Sequence, residues 1–324
     1  MSEATRPCPL CRAERSELVG EKRERNRTHA LIRVVRCGAC GFAYLAEAPR
    51  DFDDDLYAYY ARRRDKSRDE LYDPLTTRRY ESLLEALGER TPGRRLLDVG
   101  CGQGQLADVA DRLGWDALGI DLAEPAIEIA CRLGAPCRYL DVFDPELEPN
   151  SFDVVTMFEL VEHLSDPIPF LARVASLVRP GGLLYLTTPN FASLDRRVQG
   201  MSWDTVHGEH LGYFEPSSLL NAMRAAAPEV ELLELHTRNA ALQSLKHGLR
   251  RLRPSRAEPA AQARQAPAES VVGPELANIH AGEKRLRGLL EKNPLLGAAK
   301  SAVNTLLDLT GTGNAMTLLA RKAA

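Results

Sequence analysis

The sequence predicts an α/β protein in which a parallel sheet carries helices on both faces. The first observation is a buried strand, a glycine turn, a helix and a second strand ending at Asp121, all within residues 94–121. The second is that short apolar strands and amphipathic helices go on alternating up to residue 239. The third is that polar side chains directly follow several strands, which places them at the sheet edge where such folds bind ligands.

The individual elements follow from hydrophobic periodicity and from the glycine or proline residues at their ends. A helix over 74–87 precedes the first strand and is closed by Gly88. The predicted strands are 96–99, 117–121, 138–142, 152–157, 183–188 and 230–235, and the helices between them begin at Leu106, Glu124 and Pro167.

The glycine turn after the first strand indicates which nucleotide this edge binds. Gln105 stands where a dinucleotide fingerprint has its third glycine. Asp98 ends the strand beside the turn, where a carboxylate would repel a pyrophosphate. The same carboxylate suits a cofactor that carries an ammonium group, and residues without side chains let a methionine-like chain lie close. These features favour S-adenosylmethionine over NAD. A turn needed only for tight packing of strand against helix is the alternative.

The stretch Asp98-Val-Gly-Cys-Gly-Gln-Gly104 resembles the first motif of the class I S-adenosylmethionine-dependent methyltransferases. The resemblance implies a Rossmann-like seven-stranded sheet whose last strand is antiparallel. It also implies that Asp121 binds the ribose hydroxyls, that Asp141 bonds the adenine amino group and that Phe158 lines the pocket. The full set of cofactor-binding candidates is Asp98, Gly100, Cys101, Gly102, Gly104, Asp121, Leu122, Asp141, Val142 and Phe158.

Four cysteines near the N-terminus form two pairs, Cys8-Pro-Leu-Cys11 and Cys37-Gly-Ala-Cys40. Two intervening residues let both thiolates of a pair point at one ion, and Gly38 and Gly41 allow the turn. The pattern predicts a Cys₄ zinc ribbon, although the 25 residues between the pairs slightly exceed the common interval. Four protein ligands leave no open position, so the zinc is expected to be structural. A redox dithiol or two disulfides are the alternatives.

The candidate active-site loop is the segment 200–214, which contains His207, Glu209 and His210. A histidine titrates near neutral pH and can remove a proton from a nucleophile. The loop resembles those of zinc-ribbon methyltransferases acting on deoxysugars at carbon or on cell-surface polysaccharides. By that resemblance His210 is the general base, and His207 replaces a tyrosine; a packing role for His210 and a metal site at the two histidines are alternatives. Further substrate candidates are Tyr60, His163, Asn190 and Tyr213.

The chain is expected to comprise five segments. They are a zinc ribbon (1–46), a helical cap or linker (47–92), the Rossmann-like core (93–239), a helical insertion (240–310) and the last core strand (311–324), whose apolar part is 315–320. Within the insertion we expect a basic helix (242–252), a disordered linker (254–274) and two helices (275–291 and 295–309). Arginines 250, 251, 253 and 256 could contact a phosphate, an anionic membrane surface or RNA, or simply form a solvated face.

The composition bounds the function. The net charge of -3 gives no general attraction to nucleic acid, and 44% hydrophobic with 27% charged residues is typical of a globular protein. The polar N-terminus predicts no signal peptide, so we expect a cytoplasmic protein. The expected activity is methyl transfer to a small-molecule or sugar acceptor, at oxygen more readily than at carbon. An RNA methyltransferase and a non-catalytic cofactor-binding scaffold are the alternatives, and the oligomeric state is left open.

Overall fold

The computed structural model describes residues 6–24, 30–47, 58–239 and 294–324, except for the side chains of 294–300. The described strands are β1 (Ser16–Arg23), β2 (Leu31–Cys37), β3 (Ala43–Leu45), β4 (Arg95–Val99), β5 (Asp116–Asp121), β6 (Cys137–Tyr139), β7 (Phe152–Phe158), β8 (Val178–Pro189), β9 (Gly212–Tyr213), β10 (Val230–Arg238) and β11 (Ala315–Lys322). The described α-helices are α1 (Arg68–Leu71), α2 (Pro74–Gly88), α3 (Gln105–Arg112), α4 (Glu124–Arg132), α5 (Pro167–Leu177), α6 (Leu194–Gln199), α7 (Pro216–Ala226) and α8 (Pro294–Thr310).

The larger sheet has seven strands in the order β10-β11-β8-β7-β4-β5-β6. Strands β6, β5, β4, β7 and β8 run parallel, whereas β11 is antiparallel to both of its neighbours. Alternate residues of the central strand β4 pack on opposite faces: Leu96 joins one apolar cluster, while Leu97 and Val99 join the other. The sheet is therefore covered on both faces, and the predicted fold class is confirmed.

Two strands differ from the sequence prediction. The third strand was predicted as 138–142 but spans only Cys137–Tyr139, because the Asp141 carboxylate accepts a hydrogen bond from the Phe143 backbone N–H and bends the chain into a turn. The fifth strand begins at Val178 and not at Leu183, since the segment with Gly181 stays in the strand as an irregularity of its pairing with β7.

The smaller sheet joins the N-terminal segment to the core. Its order is β1-β2-β3-β9, so its fourth strand, Gly212–Tyr213, comes from the end of the candidate active-site loop. The apolar residues Ile32 and Val34 of β2 pack with Trp203 and Val206 of that loop. The cysteine-containing segment is thus continuous with the core in hydrogen bonding and in packing.

The C-terminal part of the chain completes the large sheet. The helix predicted at 295–309 is observed as Pro294–Thr310, and the last strand lies between β10 and β8. The basic helix predicted at 242–252, its arginines, the linker and the helix predicted at 275–291 lie outside the described residues. Within the described ranges, no helix combines the length and the apolar character needed to cross a membrane.

Candidate active site

Two glycines of the turn between β4 and α3 have different roles: Gly104 allows close packing, whereas Gly102 faces open space. Gly104 has φ +77, and a Cβ there would lie 2.6 Å from the Cys137 sulfur, so this position packs the turn against β6. Gly102 has φ +52, and the nearest atom to a Cβ there is the Tyr60 hydroxyl oxygen at 3.7 Å. Gly102 therefore presents bare backbone to open space, as a closely bound ligand requires.

The Asp121 carboxylate, at the end of β5, holds the turn in place. Its Oδ2 accepts a hydrogen bond from the Gly102 N–H at 2.8 Å, and its Oδ1 accepts one from the Ala123 N–H at 2.8 Å. A carboxylate has about four acceptor positions, so these bonds leave lone pairs for ligand hydroxyls. Asp121 can position the turn and bind a ribose at the same time.

The Asp98 carboxylate, in β4, is 4% exposed and accepts a hydrogen bond from the Thr156 hydroxyl at 2.7 Å. Burial raises the pKa of Asp98 to about 7, and the nearby charge of Asp121 adds to the effect. The Thr156 hydrogen bond opposes the shift but does not cancel it. A buried carboxyl group of this kind gains from a cationic partner, and the ammonium group of a methionine-like ligand would supply one.

Three side chains around the turn were unspecified or only guessed from the sequence. Tyr60 lies over Gly102, and burial together with the charge of Asp121 raises its pKa. The Tyr72 hydroxyl donates to the Gln103 carbonyl at 2.9 Å. Leu160 covers Gly100, since a Cβ at that glycine would lie 2.8 Å from its Cδ2. Neither Tyr72 nor Leu160 belongs to a recognisable motif, so only their positions in the fold identify them.

The remaining cofactor candidates lie at the same edge of the sheet with different exposure. Leu122 is 60% exposed, Asp141 is exposed in the turn after β6, and the neighbouring Val142 is buried. Phe158, at the end of β7, packs between Tyr80 and Tyr185, with ring centroids 5.4 Å from each. Cys101 lies in the turn itself, and a Cβ at Gly119 would be 2.9 Å from its sulfur.

A cluster of histidines forms where β7 and the loop before β9 meet. The His210 ring centroid lies 3.9 Å from that of His207 and 4.7 Å from that of His163. Glu162, His163 and His210 each offer one ligand-type atom, and these atoms lie within 4.8 Å of one another, close enough to share a proton or a cation. Glu162 is 2% exposed and was not predicted as a site residue.

Burial keeps these histidines neutral at pH 7. It lowers the pKa of His207 to about 4, with the charges of His163 and Lys22 adding to the effect. It also lowers the pKa of His210 well below the usual value, reinforced by the other two rings. Within the described part of the chain, the His210 Nδ1 is buried without a hydrogen-bond partner. The His163 Nδ1 instead lies 3.0 Å from the Glu209 carbonyl oxygen, to which it can donate. The His210 ring also has a backbone hydrogen bond with Thr205, and in the tautomer whose Nε2 carries the proton its Nδ1 is an unused buried acceptor.

Two further substrate candidates have their polar atoms occupied by the protein. The Asn190 side chain is fully buried; its amide donates to the Gly311 and Gly313 carbonyls and accepts from the Ala192 N–H. It fixes the connection between β8 and β11, and we leave it out of the proposed site. The Tyr213 hydroxyl donates to the His207 carbonyl at 3.1 Å, and the side chain helps to line a small cavity beside His210 with Phe191 and Trp203.

The four N-terminal cysteines come together as predicted. The sulfurs of Cys8 and Cys40 are 3.6 Å apart, those of Cys11 and Cys37 are 3.5 Å apart, and all four lie within 4.8 Å of one another. A tetrahedral zinc with four thiolates needs sulfurs about 3.8 Å apart, so the arrangement fits one metal ion. Burial alone would raise the pKa of Cys37. Hydrogen bonds from the backbone N–H groups of Cys40 and Ala39 outweigh this effect and lower the pKa to about 7.

The comparison with protein families decides the class of this site. Residues 69–231, just over half of the chain, match the family described as "Methyltransferase domain". The chain belongs to the class I S-adenosylmethionine-dependent methyltransferases. The acidic strand ends and the open glycine turn lie within the segment that this family match covers.

Relatives of the methyltransferase include two bacterial enzymes named ubiquinone biosynthesis O-methyltransferase. The chain is 42% identical over 106 residues to that of Xanthomonas campestris pv. campestris, covering 31% of this chain and 44% of the relative. It is 38% identical over 154 residues to that of Paracidovorax citrulli, covering 43% and 64%. The alignments thus span less than two thirds of either relative. Among solved structures, a SAM-dependent methyltransferase from Archaeoglobus fulgidus shares 16% identity with a TM-score of 0.49, covering 82% of this chain and 99% of that one.

Proposed function

We propose that this methyltransferase methylates a hydroxyl group of a small molecule, with His210 as the general base. The observation that carries the proposal is the His210 Nδ1, which is buried and, among the described residues, has no hydrogen-bond partner. A neutral, unpaired imidazole nitrogen can accept a proton at physiological pH. The names of the bacterial relatives support oxygen over carbon as the methylated atom.

The position of the histidine cluster relative to the cofactor turn supports this role. Leu160 contacts Gly100 of the turn, and Glu162 and His163 follow it directly in a 3₁₀ turn. The chain thus leads from the cofactor turn to the histidines within a few residues. The small cavity beside His210, about 10 Å³, has room for about one water molecule, so we expect the acceptor to lie outside it.

In the proposed reaction each residue has a separate role. The bound S-adenosylmethionine supplies an electrophilic methyl group on a sulfonium, which leaves as a neutral thioether sulfur. Asp98 and Asp121 fix the cofactor by its ammonium group and ribose, and Phe158 and Leu160 shield the turn from water. His210 accepts the hydroxyl proton as the acceptor oxygen attacks, and Glu162 stabilises the charged imidazole that results. Burial, reinforced by Glu159, raises the pKa of Glu162, so this carboxyl group can also share the proton.

Methyl transfer from isotope-labelled cofactor to a panel of acceptors tests the function. The panel contains hydroxylated aromatic compounds, sugar nucleotides and a structured RNA. We expect labelled methyl ethers from the small hydroxylated compounds and no label on RNA. Label on RNA in a salt-sensitive manner would favour an RNA methyltransferase, and cofactor binding without any product would favour a scaffold. If turnover required added Mg²⁺, the histidine cluster would bind a catalytic cation, and His210 would not be the general base.

We further propose that the four cysteines hold a structural zinc ion, and that removing it unfolds the smaller sheet. The metal would link the turn at Cys8 and Cys11 to the turn after β2, so its binding free energy would add to the stability of this sheet. Elemental analysis is expected to find about one zinc per chain, and chelation is expected to abolish the protection of the β2 amides from hydrogen exchange. Folded protein with well under one zinc per chain would instead favour a dithiol or disulfides.

The affinity for S-adenosylhomocysteine is expected to rise with pH between about 6 and 7. Because the pKa of Asp98 is raised to about 7, part of this group is protonated in the cofactor-free enzyme at neutral pH. An ammonium ligand favours the ionised form, so binding releases a proton below that pKa and weakens by up to about tenfold per pH unit as the pH falls. Calorimetry in buffers of different ionisation enthalpy measures the number of protons released on binding. Asp98→Asn should remove the pH dependence of the affinity. If the pH dependence persisted in this variant, a titratable group other than Asp98 would be responsible.

A further inference from the structure

The N-terminal hairpin contacts the backbone of the histidine loop, the segment 203–211. The Lys22 ammonium group, in β1, donates to the Trp203 carbonyl at 3.0 Å and to the Val206 carbonyl at 2.5 Å. The Glu24 carboxylate, directly after β1, accepts from the Gly208 N–H at 2.6 Å. These two charged side chains satisfy three backbone groups on either side of His207, across more than 180 residues of sequence.

A second set of contacts fixes the end of the loop. The Leu211 carbonyl accepts from the Arg6 guanidinium at 2.7 Å and from the Leu45 N–H at 3.0 Å. The chain then enters β9 and pairs with β3. His210 therefore lies between two points at which the N-terminal segment holds the loop.

The fit between Glu24 and Gly208 is close. Glu24 is 6% exposed, Gly208 is buried, and a Cβ at Gly208 would lie 3.0 Å from the Glu24 Oε1. Any side chain at position 208 would push this carboxylate away from the loop. Gly208 is thus matched to an acid of the N-terminal hairpin.

We propose that Lys22 and Glu24 are positioning residues for methyl transfer. Neither residue belongs to the cofactor turn or to the residues that line the cavity beside His210, and they act by holding the loop so that the His210 Nδ1 faces the acceptor. The proposal rests on the proposed function, because it assigns His210 the role of base. The proposed cofactor edge is built from β4, β5 and β7 of the larger sheet, whereas these two residues lie in and directly after β1 of the smaller sheet, so we expect cofactor affinity to be independent of them.

The test compares Lys22→Met and Glu24→Ala with the exposed controls Lys66→Met and Glu17→Ala. The turnover of the first two variants is expected to fall at least about tenfold, while their Kd for S-adenosylhomocysteine stays within about twofold of that of the parent enzyme. Hydrogen exchange should accelerate in the segment 203–211 and remain unchanged in the cofactor turn. Lys22→Arg keeps a donor for the two carbonyls and is expected to recover part of the turnover. Both controls should behave as the parent enzyme.

A double-mutant cycle isolates the contact between the hairpin and the loop. Gly208→Ala alone is expected to lower turnover by crowding Glu24, and its backbone conformation allows alanine, since its φ is not positive. Combined with Glu24→Ala, the same change should cost little more, because the contact is already lost. Additive losses would contradict the proposed contact.

The outcomes separate this proposal from the proposed function. If His210→Ala abolishes turnover while Lys22→Met and Glu24→Ala leave both turnover and loop exchange unchanged, the positioning role is wrong and the base remains. If His210→Ala retains normal turnover, the base assignment fails, and with it the reason for positioning the loop. A loss of S-adenosylhomocysteine affinity in Lys22→Met would also contradict the proposal, since it would show a general effect on the fold.

Discussion

Replacing His210 with alanine is expected to lower turnover by about 10²-fold or more. The substitution removes the buried Nδ1 that we propose as the proton acceptor and leaves the glycine turn, Asp98 and Asp121 in place. Affinity for S-adenosylhomocysteine should therefore remain nearly unchanged, so that the loss falls on kcat and not on cofactor binding. Steady-state kinetics with a saturating cofactor measure kcat, and calorimetric titration with S-adenosylhomocysteine measures its affinity on the same preparation.

A second histidine provides the matched control. His236 lies in β10, where its ring contacts the carboxylates of Asp308 and Glu234, far along the sheet from the cofactor turn. His236→Gln is expected to reduce stability modestly and to leave turnover close to that of the parent enzyme. Near-normal turnover of His210→Ala would make His210 a packing residue, and His163, whose Nδ1 hydrogen bond leaves its other nitrogen available, would become the next candidate.

The geometry of the glycine turn could be predicted from the sequence because its determinants are local. Strand, glycine turn and helix are contiguous around Asp98 and Gly104, and hydrophobic periodicity is sufficient to place them. The parallel order of the strands then brings Asp121 beside the turn without further information. Asp141 was predicted inside the third strand, but its own hydrogen bond to the Phe143 N–H turns the chain, so it lies after that strand.

The support of the histidine loop could not be predicted in this way. A strand of two residues, Gly212–Tyr213, has no detectable periodicity, and its pairing with Ala43–Leu45 is a long-range contact. Lys22 and Glu24 look like ordinary charged residues of an exposed hairpin, since only the tertiary fold shows that they face backbone groups of a distant loop. Glu162 is similar: its burial depends on the loop that folds over it.

Replacing Gly102 with valine is expected to weaken S-adenosylhomocysteine binding by at least about 10²-fold, or about 2.7 kcal/mol. Among the described residues, the Tyr60 hydroxyl is the one group within 4 Å of a Cβ at this position, so the valine would extend into the space that we assign to the cofactor. The enzyme should fold, and turnover should fall with binding. Calorimetry gives the affinity, and circular dichroism verifies the fold.

Gly134→Val is the matched control for this substitution. Gly134 also has a positive φ, +79, and a Cβ there has no described neighbour within 4 Å. Both valines carry the strain of a left-handed backbone, about 1–2 kcal/mol, but only the one at position 102 faces the proposed pocket. Equal binding losses in the two variants would mean that strain, and not occlusion, explains the effect.

The central claim is that the cofactor binds at the edge formed by Asp98, the glycine turn and Asp121. Calorimetric titration of the zinc-containing enzyme with S-adenosylmethionine and with S-adenosylhomocysteine tests it most directly. We predict one site per chain for both compounds, with binding lost in Gly102→Val and retained in Gly134→Val. Absence of heat with both compounds in the parent enzyme, verified by the absence of a shift in Tm, would contradict the account.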